Sequence, residues 1–182
     1  MKNRIFLSIF ILSLIGNIYF FYTTFERTST LTQYTYSNAS TALFGLTAAH
    51  TQLQSAAESD WSSSYALLFA GAFLQVAAIS VREAGRLEDY AHLRSMPRAE
   101  IRQLAGFEAE IRAAWMLTVT QAAAIERGET PHTAALQATL DALNTADFPR
   151  SPGTQDFNDP AFWQALAAAN ARFAAEVEPR LP

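Results

Sequence analysis

The chain has 182 residues, half of them hydrophobic and 16% charged, with a formal net charge of -4 and no cysteine. The acidic balance excludes the basic stripe that nucleic-acid binding requires. The missing cysteines exclude disulfides, thiolate chemistry and cysteine-ligated zinc or iron–sulfur sites, and the apolar content suffices for one domain with a real core.

The chain opens with Met1-Lys2-Asn3-Arg4 and then an uncharged apolar run from Ile5 to Tyr22. At 1.5 Å per residue that run is roughly 27 Å long, enough to cross a bilayer core. Lys2 and Arg4 precede it, whereas Glu26 and Arg27 cancel behind it. The positive-inside bias therefore puts residues 1–4 in the cytoplasm and sends the chain from Thr23 onward across the membrane. Tyr19, Phe20, Phe21, Tyr22 and Phe25 read as the aromatic belt at the outer interface. The exit sequence lacks the small residues of a signal cleavage site, so 5–22 reads as a retained signal-anchor of the cell membrane.

Helical spacing continues past the anchor. From Thr28 to Ala57 there is no charged residue, yet Ala39, Leu43, Leu46, His50, Leu53 and Ala57 recur near a seven-residue repeat. This predicts a helix over 23–58, continuous with the spanning helix. Ser59-Asp60 is then expected as a break and N-cap before a second helix over 61–94. There Tyr65, Leu68, Phe69, Ala72, Phe73, Val76, Ile79, Leu87 and Tyr90 share one side, and Ser64, Gly71, Gln75, Arg82 and Arg86 form a polar stripe. Ser95-Met96-Pro97 separates it from a third helix over 97–127, whose seam is Ile101, Leu104, Glu108, Ile111, Trp115, Thr118, Ala122 and Ile125, with Gly128 as its stop. Thr130-Pro131 and Asp159-Pro160 each read as an N-cap followed by a first-turn proline. They open helices over 131–145, with Leu136, Leu140 and Leu143, and over 160–178, with Phe162, Leu166, Ala169 and Phe173.

Three long helices of matched length and two short ones that sum to a fourth predict an all-α fold. It is a membrane-anchored, antiparallel up-down bundle with a broken fourth helix, and 23–182 form a single extracytoplasmic domain. A competing topology makes 63–81, uncharged and followed by several arginines, a second and returning span with a cytoplasmic helical domain behind it.

Candidate chemistry is sparse. His50, His92 and His132 fall on different helices and in no metal-binding pair, and Asp89 with His92 is only one element of a di-iron site. No phosphate loop, catalytic triad motif or cofactor box is present, so neither catalysis nor a cofactor or metal is expected. Glu108 on the third helix faces the level of Arg82 and Arg86 on the second, which predicts an interhelical ion pair or, alternatively, a polar pocket. Phe157 and Trp163 flank the break in the fourth helix and are candidates for ligand or partner contact, or for plugging the gap. Phe44, Phe69, Phe73 and Trp115 are expected in the core.

Two roles follow. One is an interaction or scaffold subunit of a bacterial-type cell-envelope assembly, pairing with itself or a protein partner through the uncharged hairpin 28–81, where small residues permit close helix approach. The other is an extracytoplasmic sensory or ligand-binding bundle that signals through a partner.

Overall fold

The computed structural model describes residues 2–86, 106–149 and 159–177, with side chains described for 13–26, 29–85, 106–149 and 159–175. Among the described residues the protein is all-helical and has no strand. Five helices follow in order: α1 (Lys2–Glu58), α2 (Ser64–Arg86), α3 (Glu108–Glu126), α4 (Thr133–Ala146) and α5 (Pro160–Val177). The expected extensions of the second helix to 94 and of the third back to 97 lie outside the described residues.

The rod expected from the continuous periodicity is present: α1 is one unbroken helix of 57 residues, about 85 Å long. It ends in a Schellman turn. The Asp60 amide donates to the Ala57 carbonyl and the Trp61 amide to the Ala56 carbonyl at 2.7 Å, with Asp60 left-handed at φ 53°. Trp61 also takes a positive φ of 58°, a costly conformation for a bulky side chain, and its ring is buried in the core. The break therefore falls where expected, but the cap does not. Ser63, not Asp60, caps α2, its Oγ accepting the Ala66 amide at 3.2 Å.

The remaining ends follow the same rules. Gly128 closes α3 in a second Schellman turn at φ 74°, with Glu129 donating to the Ala124 carbonyl. Asp159 caps α5 as expected, its Oδ1 accepting the Ala161 amide at 2.9 Å. Thr130-Pro131 does not open α4. That helix starts at Thr133, and the His132 amide is satisfied by the Gln121 side chain on α3 at 2.7 Å.

α1 and α2 pack antiparallel along residues 35–86, and α2 packs antiparallel on α3, with Ser64 bonded to Glu126 at one end and Arg82 to Glu108 at the other. Small side chains make the first of these contacts close. Ala39, Ala42, Ala49 and Ala56 are buried on α1, as are Ala66, Ala70, Ala77 and Ala78 on α2. A methyl group added to Gly45 would sit 2.7 Å from the Phe73 carbonyl oxygen. At Gly71 it would sit 2.8 Å from Val119 on α3.

This packing overturns the expected facing of the second helix. Its buried side carries Leu67, Ala70, Gly71, Leu74, Ala78 and Val81, while Tyr65, Leu68, Phe69, Val76 and Ile79 are exposed. Gly71, placed by the sequence on a polar stripe, is buried against α3. Phe44 and Phe69, expected in the core, are 60% and 39% exposed. The seams of the other helices hold: Leu43, Leu46 and Leu53 on α1, Ile111, Thr118 and Ala122 on α3, Leu136, Leu140 and Leu143 on α4, and Leu166, Ala169 and Phe173 on α5 are all buried.

α4 and α5 pack on each other and reach α1 and α3 on the side of the α1–α2–α3 layer away from the exposed face of α2. They do not run in series as one interrupted rod. Arg172, near the end of α5, donates to the carbonyl of Ala146 at the end of α4, 2.7 Å from Nη2. Phe148 meets Phe173 with ring centroids 6.3 Å apart. The connector 147–159 is long enough to bring the end of α5 back beside the end of α4. Two short amphipathic helices bury more of their apolar faces against each other and the layer this way than end to end.

The two interfacial glycines yield a graded expectation. Gly45→Val forces a backbone carbonyl to shift and Gly71→Val forces only side chains to do so. Overpacking of this kind costs about 1–3 kcal/mol, more than the ~1 kcal/mol gained by replacing a helical glycine. Urea unfolding is expected to show the larger loss at Gly45 and the smaller at Gly71. Gly16→Val, where nothing lies within 4 Å, leaves the stability of the folded domain unchanged.

Candidate functional site

Three places in the molecule combine exposed or polar residues in a way that could carry function. The first lies between α2 and α3. Arg82 Nη1 is 3.4 Å from Glu108 Oε1, and Arg82 Nε is 3.2 Å from Glu83 Oε1. The sequence places Glu108 opposite Arg82, and the structure brings the two together. Arg86 ends α2, and its side chain lies outside the described residues. Gln75, Ile79, Arg112 and Trp115 complete a shallow groove of about 190 Å³. Arg82 thus divides its charge between two carboxylates, and the groove is smaller than the ~300–1,000 Å³ of sites that enclose a metabolite. It can seat waters or a small ion beside a surface ion pair.

The second place lies between α1 and α4. His50 and Asn144 meet at 2.6 Å between Nε2 and Oδ1, a contact that ties α4 to α1. Thr47, Asp147 and Phe148 join them around a groove of about 220 Å³. Asp147 is left-handed at φ 51°, because it ends α4. His132 is bound through its backbone to Gln121 of α3 and stands apart from His50. Among the described residues no group of three histidine, aspartate or glutamate side chains could hold a metal. His92 and Asp89 lie outside the described residues.

Trp163, a candidate either for ligand or partner contact or for plugging the break, is fully buried. It stacks on Tyr36 of α1 with centroids 6.3 Å apart and meets Phe162 edge-on at 5.4 Å. It is a packing residue that fixes α5 on α1, and burial there also raises the pKa of the Tyr36 phenol. Phe157 lies outside the described residues.

The third place is apolar and has two parts. Every described side chain of α1 from Ser13 to Tyr22 is exposed, and Leu14, Ile15, Ile18, Phe20, Phe21 and Phe25 point to all sides of the helix. Farther along, Tyr65, Leu68, Phe69, Val76 and Ile79 form the outward face of α2, bordered by Phe44 of α1, which meets Phe73 edge-on at 5.9 Å. Among the residues whose side chains are described, which exclude 1–12, Ser64–Gly85 is the one helical stretch long and apolar enough to cross a membrane by length and composition, and half of it is buried within the protein.

No family model, no curated protein and no solved structure matches the chain.

The outward apolar face was the feature that sequence reasoning assigned to the wrong side. A usable signal was present: alanine and glycine recur at helical spacing on the opposite side of the same helix, and only small residues allow close helix approach.

The Arg82–Glu108 pair is open to a direct check. The two side chains are 36% and 26% exposed, so solvent screening keeps their coupling in the range of about 0.2–1 kcal/mol typical of surface pairs. A double-mutant cycle with Arg82→Ala and Glu108→Ala, read by urea unfolding, is expected to give a coupling within that range that shrinks with added salt. A coupling of several kcal/mol would make the pair a structural keystone.

Proposed function

We propose that the protein is a single-pass, membrane-anchored helical scaffold subunit of a cell-envelope assembly. In this reading 5–22 is the span, residues 1–4 are cytoplasmic and the packed helices are extracytoplasmic. The observation that carries it is the exposure of every residue of α1 from Ser13 to Tyr22. Leu14, Ile15, Ile18, Phe20 and Phe21 face outward round that stretch, and a helix that is hydrophobic on every side with no packing partner among the described residues belongs in lipid.

The continuity of α1 supports a rigid mounting. Burial on α1 begins at Thr35, thirteen residues beyond Tyr22, so the packed region stands about 20 Å from the aromatic belt on an unbroken helix. Such a subunit acts through surfaces. The sensory reading has less to draw on, since the two grooves between helices are small and partly filled by their own ion pair and hydrogen bond.

The two-span reading draws on the apolar composition of Ser64–Gly85. Against it stand the helices packed along that segment. Placing α2 in lipid would carry in α3 with Glu108, Glu110, Arg112 and Glu126, which run beside it from end to end. Each charge at membrane depth costs at least ~2.5 kcal/mol.

Fractionation tests the anchor. The full chain is expected to stay in the membrane pellet after alkaline carbonate extraction, and a reporter fused at Pro182 is expected to be active only on the extracytoplasmic side. Release of the full chain by carbonate contradicts the anchor, and a cytoplasmic Pro182 contradicts the single-span topology.

A further inference from the structure

We propose that the outward face of α2 docks onto the same face of a second copy of this chain, as a parallel two-helix seam on a two-fold axis perpendicular to the membrane. The proposal deepens the scaffold reading and rests on its anchor. Tyr65, Phe69, Ala72, Val76 and Ile79 succeed one another at steps of four, three, four and three residues, and all five are exposed. That alternation is the heptad seam along which two helices interlock, with Phe69 and Val76 in one core position and Tyr65, Ala72 and Ile79 in the other.

Charge favours a copy of the same chain over an unrelated partner. In a two-fold interface each residue near the axis faces its own equivalent, so any charge there meets a like charge. The stretch from Thr28 to Val81 holds only Glu58 and Asp60 as acidic or basic residues. Both lie at or beyond the turn that ends α1, clear of the middle of the seam. A surface built for a different partner gains from complementary charges; between Tyr65 and Ile79 this one has none to offer, and Glu83, one step beyond, is paired with Arg82.

Size and orientation agree. Taking ~150–250 Å² for each aromatic side chain and somewhat less for the aliphatic ones, the exposed fractions of the stripe and Phe44 amount to roughly 500–600 Å² of apolar surface. This is most of the ~800 Å² that each partner buries in a stable interface of ordinary size. The anchors hold all copies in one membrane upright and at one height. Two α2 helices therefore meet in parallel and in register without a search over orientations, and confinement to the membrane raises their effective concentration.

The chain contains no cysteine, so single cysteines report the contact cleanly. The full-length protein carrying Ala72→Cys is oxidised mildly in its own membranes, beside Ala70→Cys, which lies on the buried side of α2. The expected result is a disulfide-linked dimer of twice the chain mass at Ala72→Cys and none at Ala70→Cys. Adding Phe69→Glu is expected to cut the linked fraction by at least about tenfold, because it buries a pair of like charges in the seam. Circular dichroism confirms that the double variant keeps its helix content. If that variant loses its helix content, Val76→Ser with Ala72→Cys takes its place, with the same expected loss of linkage.

Membrane-bound protein that gives no Ala72→Cys dimer, or whose cysteine links to a different protein, overturns the proposal and leaves the anchor standing. Protein recovered in the soluble fraction contradicts the anchor. Equal linkage at Ala70→Cys and Ala72→Cys marks random collision and also overturns the proposal.

Discussion

The close approach of α1 and α2 is the constraint on which the rest of the molecule depends. Gly45 lies against the Phe73 carbonyl, and alanines line both sides of the contact. Alanine and glycine share the inner side of α2 with Leu67, Leu74 and Val81, and Tyr65, Leu68, Phe69, Val76 and Ile79 are turned outward. An apolar helix thereby spends its alanines, Gly71 and three aliphatic residues on its own fold and shows Tyr65 and Phe69 to the surroundings. The outward aromatic face, the burial of Gly71 against α3, and the free side of the α1–α2–α3 layer all follow from that one choice of packing face.

How far the sequence could be read depended on contrast between helix faces. On α1, α3, α4 and α5 the apolar residues stand against polar neighbours, so Leu43 and Leu46, Ile111 and Thr118, Leu136 and Leu140, and Leu166 and Phe173 read correctly as buried. α2 has little such contrast along Tyr65–Val81, and there the recurrence of alanine and glycine beside Leu67, Leu74 and Val81, not polarity, marks the inner side. Turn chemistry was readable in part. Gly128 and Asp159 behave as glycine stop and aspartate cap, whereas Asp60 serves the end of α1 and leaves Ser63 to cap α2. The return of α5 onto α4 was not readable, because it depends on Arg172 finding the Ala146 carbonyl and on Phe173 finding Phe148. The Arg82–Glu108 contact was readable from helix length alone, but its groove and that at His50 needed the folded chain.

The two apolar surfaces then fit one physical scheme. In the scaffold we propose, the beginning of α1 lies in lipid, and the outer face of α2, apolar on one side, lies against another helix. They lie on one continuous layer of helices, so under that proposal an orientation imposed at the anchor is carried to the outer face. A charged, flexible tether would lose that register, and α1 has neither a break nor a charge between Thr28 and Ala57.

The inward placement of Leu67, Ala70 and Leu74 can be measured by thiol reactivity in the cysteine-free chain. Single substitutions Leu67→Cys, Ala70→Cys and Leu74→Cys, compared with Tyr65→Cys, Phe69→Cys and Val76→Cys, are treated with a water-soluble maleimide in detergent, at dilutions where the protein is monomeric. The first three should react only after unfolding in urea, and the last three should react in the folded protein. Rapid labelling at positions 67, 70 and 74, with protection at 65, 69 and 76 at every dilution, would contradict the packing on which the whole description stands.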